Sequence, residues 1–363
     1  LVDACYGVVM TTPMPDRRRL AGRVLFAGLL AAALAHAGPP AGATEPAIAT
    51  TAAPELQLPI RCLPGRDCWL VNLVDLDSGP GVRDYLCRKY TYDGHKGTDI
   101  AVRDMQAVAA GIDVVAAAPG AVRGTRDGMD DVDVSLAGKE SVKGRECGNG
   151  VVVDHGGGWE TQYCHMRKGS VAVRRDDKVI AGQKLGSVGH SGEAEFPHLH
   201  LSVRRDGQVV DPFVGLGRKE SCGLGPKPLW HKDALAQLTG AMTAVFHVGF
   251  HDAKPEARDA RNGVIGVQVL ARTAGALVLW ADMYWPEAGD QMRYRIVGPD
   301  GRPLVDKTDR IEKTQARRFA FVGKKRTAAE WPAGAYVGEV TLVRDAGKPG
   351  ERAFKAAASV SVR

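Results

Sequence analysis

Short runs of alternating or β-branched residues, each closed by Gly, Asp or Pro, recur from about residue 58 to the end of the chain. Between residues 58 and 213 the clearest are "GIDVVAAAPGAVRGT", "GNGVVVDHGGGWETQYCHM", "DDKVIAGQKLGSVG" and "PHLHLSVRRDGQVVDP". Such punctuation predicts strands joined by tight turns. "VVVDH" and "WETQYCH" flank a glycine turn and read as a hairpin. On its second arm, period-two alternation puts Trp159, Thr161, Tyr163 and His165 on one face, with Glu160, Gln162 and Cys164 on the other. The pattern resumes from residue 241 in "TAVFHVGF", "ALVLWADMYW", "QMRYRIVGPDGRPLV", "RRFAFVG" and "GAYVGEVTLVRD". The expected fold class is all-β: an antiparallel β-sheet domain followed by a second, β-sandwich-like domain. Trp280 and Trp285 read as core residues ahead of an aromatic binding patch.

The segments before and between these strands divide the chain. Residues 1–37 read as a leader with a secretory signal peptide: Arg17, Arg18 and Arg19 precede an apolar run that ends in the small-residue stretches "AHA" and "AGA". Arg23 leaves too short a clean run to span a bilayer, so no stable membrane insertion is expected once the signal is removed. Met10 or Met14 would make a more ordinary start than "LVDACYGVV". Residues 38–57 are rich in Ala, Pro and Thr and read as a flexible linker. The first β domain is expected over 58–219, a connector over 220–240 and the second β domain over 241–363.

Seven cysteines are present, and Cys5 lies before the signal. Cleavage would leave Cys62, Cys68, Cys87, Cys147, Cys164 and Cys222, an even set that fits disulfides in a periplasmic or secreted protein. "CLPGRDC" is the easiest local loop, because Pro64 and Gly65 can turn the chain back. The net charge of +6 mildly favours an anionic partner. No basic stripe interleaved with aromatics is present, which argues against nucleic acid. Oligomeric state has no signature here.

Chemistry concentrates in two places. His198 and His200, in "EFPHLHLSV", sit two apart on an expected strand and share a face. In "TYDGHKGTDIAVR", Gly97 separates His95 from Asp99, and a small residue there lets both side chains reach one centre. Imidazole, carboxylate and imidazole form a sound zinc set. His165 adds another imidazole, so the donors exceed what a closed structural site needs. His155 reads as a turn or groove residue, and His190 as lining the cleft or lying at the surface. Asp127, Asp130, Asp131 and Asp133 lack the glycine and terminal glutamate spacing of a calcium loop and read as a solvated loop. Tyr163 could bring a phenol to the site or simply pack in its strand.

The chain closely resembles the M23 family of zinc metallopeptidases, the lysostaphin/LytM-like peptidoglycan endopeptidases. The first family motif stands as "HKGTD", the second as "HLH" after Pro197, and a Tyr-x-His context surrounds His165 as "YCHM". "GNGVVVDHG" and "AGQKLGSVGHSG" match flanking patterns, and the resemblance covers about residues 90–213. It implies a LytM/M23-type antiparallel sheet with one zinc ion per chain. It implies the ligands His95, Asp99 and His200, with His165 and His198 as catalytic histidines beside the metal. The implied activity is hydrolysis of peptide cross-links in bacterial peptidoglycan by metal-activated water. A non-catalytic wall-binding or amidase-activating relative, or an endopeptidase acting on proteins, are the alternatives. No HExxH helix is present, so the glutamate-base route is not on offer.

Overall fold

A computed structural model of the chain describes residues 52–217, 222–240 and 242–363. The expected signal peptide, Cys5 and the linker up to residue 51 lie outside the described residues. Among the described residues no helix is long and apolar enough to cross a membrane.

The first domain is built on an eight-stranded antiparallel sheet. Its strands run in the order Cys68–Asn72, Thr98–Val102, His198–Arg205, Trp159–Met166, Asn149–Gly156, Gly120–Arg126 and Lys178–Val179, and Gln208–Val209 pairs alongside His198–Arg205. The expected hairpin is present, Asn149–Gly156 pairing with Trp159–Met166. Alternation along His198–Arg205 buries Leu199, Leu201 and Val203 completely in the core and sends His198 and His200 to the opposite face. Each such aliphatic burial contributes about 1.5–3 kcal/mol. A one-residue register slip would bury the imidazoles in the core instead, so the apolar face fixes the histidine face.

The second domain is a β-sandwich. A three-stranded sheet (Ala244–His251, Ala276–Tyr284, Arg317–Lys325) packs on a five-stranded one (Val269–Leu270, Arg352–Val362, Gly334–Arg344, Gln291–Val297, Pro303–Arg310). Leu277, Leu279, Met292, Ile296, Val340 and Leu342 fill the space between them. Trp280 and Trp285 are core residues, as expected, at 0% and 4% exposure.

The two domains meet across an apolar, hydrogen-bonded seam. Phe246, Tyr284 and Trp285 belong to the same hydrophobic cluster as Trp69 and Leu70, and the Phe246 ring lies 5.2 Å from that of Trp69. The Trp285 indole N–H donates to the Val71 carbonyl. Arg344 is buried and donates to both Asp290 carboxylate oxygens (3.1 and 2.9 Å), the Trp285 carbonyl (2.9 Å) and the Tyr90 hydroxyl (3.3 Å). The segment expected as a connector carries the helix Lys232–Leu238, capped by His231, with Ala234 and Leu238 buried. Leu56, placed by sequence in the linker, is fully buried and bridges to Trp230, so packing begins before residue 58. A chain cut at residue 240 would lose three aromatics from its core, each worth about 1.5–3 kcal/mol of burial. Such a truncation is expected to melt well below the full chain or to aggregate; an unchanged melting temperature would show that the seam does not support the first domain.

Three disulfides account for the six described cysteines: Cys62–Cys68, Cys87–Cys222 and Cys147–Cys164. The first is the local loop expected from sequence. The third joins the turn before Asn149 to the residue preceding His165.

Candidate active site

Strand pairing assembles the polar cluster. Thr98–Val102 lies against His198–Arg205 with Asp99 opposite His200 and Ala101 opposite His198. Residues directly opposite in an antiparallel pair point to one face. His95, in the turn before the strand, folds over the same spot. A ligand atom from each of His95, Asp99 and His200 lies within 4.8 Å of the others.

The neighbours fix which atoms converge. The Leu73 carbonyl accepts from His95 Nδ1–H at 2.6 Å, leaving Nε2 with a lone pair. Ser202 Oγ lies 2.9 Å from His200 Nε2 and can accept its proton, leaving Nδ1 free. His95 Nε2 is 3.2 Å from Asp99 Oδ2 and 3.2 Å from His200 Nδ1, which is 2.8 Å from Asp99 Oδ1. Asn72 Nδ2 donates to Asp99 Oδ2 at 2.8 Å and holds the carboxylate in place. Three lone-pair-bearing atoms thus crowd one point with no shared proton to satisfy them, the arrangement a cation resolves. Burial alone would raise the Asp99 carboxyl, but His95, His198 and His200 outweigh it and hold the group well below the usual carboxylate range.

Gly97 has a different reason from the expected one. A Cβ there would stand 2.5 Å from the His200 ring and 2.8 Å from the Leu201 carbonyl. The glycine makes room for the facing imidazole.

His165 joins the cluster by breaking the strand pattern. Simple alternation places it with Tyr163, on the core face. The register instead shifts between Asn149 and Val151, and His165 takes a left-handed backbone with φ of 61°. That bulge turns its ring to within 4.6 Å of the His198 ring and 5.8 Å of the His200 ring. The Ser191 carbonyl accepts from His165 Nδ1–H at 2.7 Å, and the Phe196 carbonyl accepts from His198 Nδ1–H at 2.8 Å. Each ring is left with an unprotonated Nε2. His198 Nε2 lies 3.7 Å from Asp99 Oδ1. Burial first, then His198 and His200, keep His165 well below the ordinary imidazole range, and burial lowers His198 as well. Both are poised as neutral bases.

The remaining polar candidates play supporting parts. The Pro119 carbonyl and Thr161 Oγ1 satisfy the buried His155. The Tyr163 hydroxyl accepts from Ala117 N–H at 2.7 Å inside the core, away from the cluster. The aspartate loop is solvated, as expected, with Asp127 and Asp130 exposed, and it is also tied down: Asp127 accepts from Gly169 and Val171 N–H, and Asp131 from Lys168 and His190 N–H.

His190 is buried, and its Nε2 has no hydrogen-bond partner among the described residues. Burial, and next the neighbouring His198, lower its pKa from 6.5 to about 4. The folded state therefore resists a proton that the unfolded chain accepts. Stability is full above pH 6.5 and falls as pH drops from 6.5 towards 4. The loss reaches about 3 kcal/mol. H190Q is expected to flatten that acid limb in urea unfolding; an identical limb in the variant would contradict the assignment.

Sequence reasoning missed several wall residues. Ser202 shares the face of His200 and was legible from the two-residue period. Asn72 and Leu73 reach the cluster from a strand edge far upstream. The Tyr92 ring lies 4.5 Å from that of His95. A cavity of about 360 Å³ opens beside Asp99 and His198, and the second domain supplies Tyr284, Ala316 and Arg317 to its wall. Arg317 is held by Asp282 through its Nε and Nη2 and lies over the Phe196 and Tyr284 rings.

The antiparallel sheet thus presents two histidines and a carboxylate at one point, with two further imidazoles beside them. Residues 93–212 match peptidase family M23. Over 83 residues the chain is 37% identical to the DD-carboxypeptidase/endopeptidase Mpg of Neisseria meningitidis, covering 22% of this chain and 19% of that protein. It is 38% identical over 64 residues to the peptidoglycan DD-endopeptidase ShyA of Vibrio cholerae (18% and 14% covered). It is 41% identical over 68 residues to the murein hydrolase activator EnvC of Escherichia coli (19% and 16%). The chain thus spans under a fifth of the length of each of these relatives. Among solved structures, the catalytic domain of the prophage-encoded M23 protein EnpA from Enterococcus faecalis aligns with 25% identity and a TM-score of 0.29, over 41% of this chain and 92% of that one.

Proposed function

We infer that the chain is a zinc metalloendopeptidase acting on peptide cross-links of bacterial peptidoglycan in the periplasm or outside the cell. The observation that carries this reading is the complete cluster: His95 Nε2, an Asp99 carboxylate oxygen and His200 Nδ1 converge, with the Nε2 atoms of His165 and His198 left unprotonated nearby. Two nitrogens and one oxygen suit one zinc ion with a position left open, and His95, Asp99 and His200 are the proposed ligands. Zinc bound there would supply a Lewis acid that polarises a carbonyl and makes water more acidic. The protein's own groups do the rest. His165 and His198 can each accept a proton at Nε2 from an attacking water and return it to the departing amine. As imidazolium, either would also stabilise negative charge growing on the former carbonyl oxygen. The Ser191 and Phe196 carbonyls hold both rings in the tautomer this requires. Paired cysteines and the signal-like N-terminus support an exported setting.

The similarity to EnvC supports a second reading, a binding or activating protein without its own turnover. A full donor set argues against it. Incubating the zinc-loaded chain with cross-linked muropeptide dimers and, separately, with unfolded protein tests the substrate class. Conversion of dimers to monomers by mass is expected. Cleavage of unfolded protein alone would move the substrate class to proteins.

A further inference from the structure

A second cavity, of about 1270 Å³, adjoins the one beside Asp99 and His198: Ala316 lines both. It lies along the seam, with Arg88, Lys89 and Tyr90 on the side of the first domain and Arg310, Lys348 and Arg352 on the side of the second. Its charges are unevenly spent. Glu287 is engaged by Tyr90, Arg88 and Arg344, and Asp290 by Arg344. That leaves Lys89, Arg310, Lys348 and Arg352 exposed at the cavity, none with an ion-pair partner among the described residues, opposed by Asp345 alone.

A buried arginine already neutralised by two carboxylates would be structural. Four solvated cations around one groove, with a single exposed carboxylate among them, form an attractive field for an anion. The groove is large enough for several residues of an extended chain, and it shares Ala316 with the cavity beside the histidines. We propose that this seam groove is an extended subsite that binds the carboxylate-bearing peptide stems of the cell-wall polymer, with Lys89, Arg310, Lys348 and Arg352 as its anion-binding groups. The assignment rests on the wall-peptide reading above. It gives the second domain a role in substrate capture, because three of the four cations belong to it.

The test uses the full chain carrying H198A, so that binding is measured without turnover. Co-sedimentation with purified sacculi is compared for this protein and for the same protein with K89Q, R310Q, K348Q and R352Q added. All four side chains are exposed, and an unchanged melting temperature and zinc content check that the variant is folded. Its affinity is expected to fall about tenfold at low salt and to lose most of its salt dependence. Sacculi whose carboxylates have been amidated should bind the parent as weakly as native sacculi bind the variant. Sacculi stripped of phosphate polymers should bind as well as untreated ones. Equal binding of parent and variant, undiminished binding to amidated sacculi, or loss of binding on phosphate removal would each overturn the proposal. Because no hydrolysis is scored, a failure here is distinct from a failure of the peptidase reading. If the wild-type chain proves inactive but this charge-dependent binding holds, the groove stands and the catalytic reading falls.

Discussion

Replacing His198 by alanine is expected to slow peptide hydrolysis by about 100-fold to 10,000-fold while leaving the metal in place. The His198 ring is fixed by the Phe196 carbonyl, not by the converging donors, and its Nε2 lies 3.7 Å from Asp99 Oδ1. Its loss removes a proton acceptor without touching the converging donors. His165→Ala should show the same loss of rate. It should also lower stability by about 1–3 kcal/mol, since the buried Ser191 carbonyl loses its donor. Zinc content by elemental analysis and turnover of a cross-linked peptide measure both halves. An H198A protein that keeps wild-type turnover would remove His198 from the mechanism.

Changing His200, only two residues away, should have a different consequence. H200A takes away one of three converging donors and exposes Asp99 to loss of a partner it holds at 2.8 Å. Zinc and activity should both disappear. A thermal melt separates the two neighbours without any assay of activity. A ligand that binds only the folded state raises its stability in proportion to RT ln(1 + [L]/Kd). Added zinc should therefore raise the melting temperature of the wild type and of H198A, and leave H200A unmoved. Equal zinc-induced shifts in H198A and H200A would show that His200 is not a ligand.

Local pattern was legible where physics is local. The two-residue period placed His198 and His200 on one face because the alternating Leu199 and Leu201 must be buried on the other. The spacing of His95 and Asp99 was readable because a turn and a strand start bring them together within a few residues. The "CLPGRDC" loop closed as expected for the same reason. What failed were features set by particular strand pairings and dockings far away in sequence. The His165 face depends on a bulge, and a bulge is a disagreement between two paired strands that neither strand announces alone. The roles of Asn72 and the Leu73 carbonyl depend on which strand becomes the sheet edge. The chain between the domains looked like a connector because glycine and proline dominate its first half. Its second half nonetheless forms a helix whose Ala234 and Leu238 reach the core. Tyr284 and Arg317 reach the cleft only because the sandwich docks on the first domain, and no periodicity within "LWADMYW" or "ARRFAFVG" encodes that docking.

The most direct measurement is the appearance of new amino termini in purified sacculi treated with the zinc-loaded wild-type chain. A steady release is expected, stopping when a chelator removes the metal and returning when zinc is restored. Zinc-loaded, folded protein that binds sacculi yet releases no amino termini from them or from cross-linked peptides would contradict it.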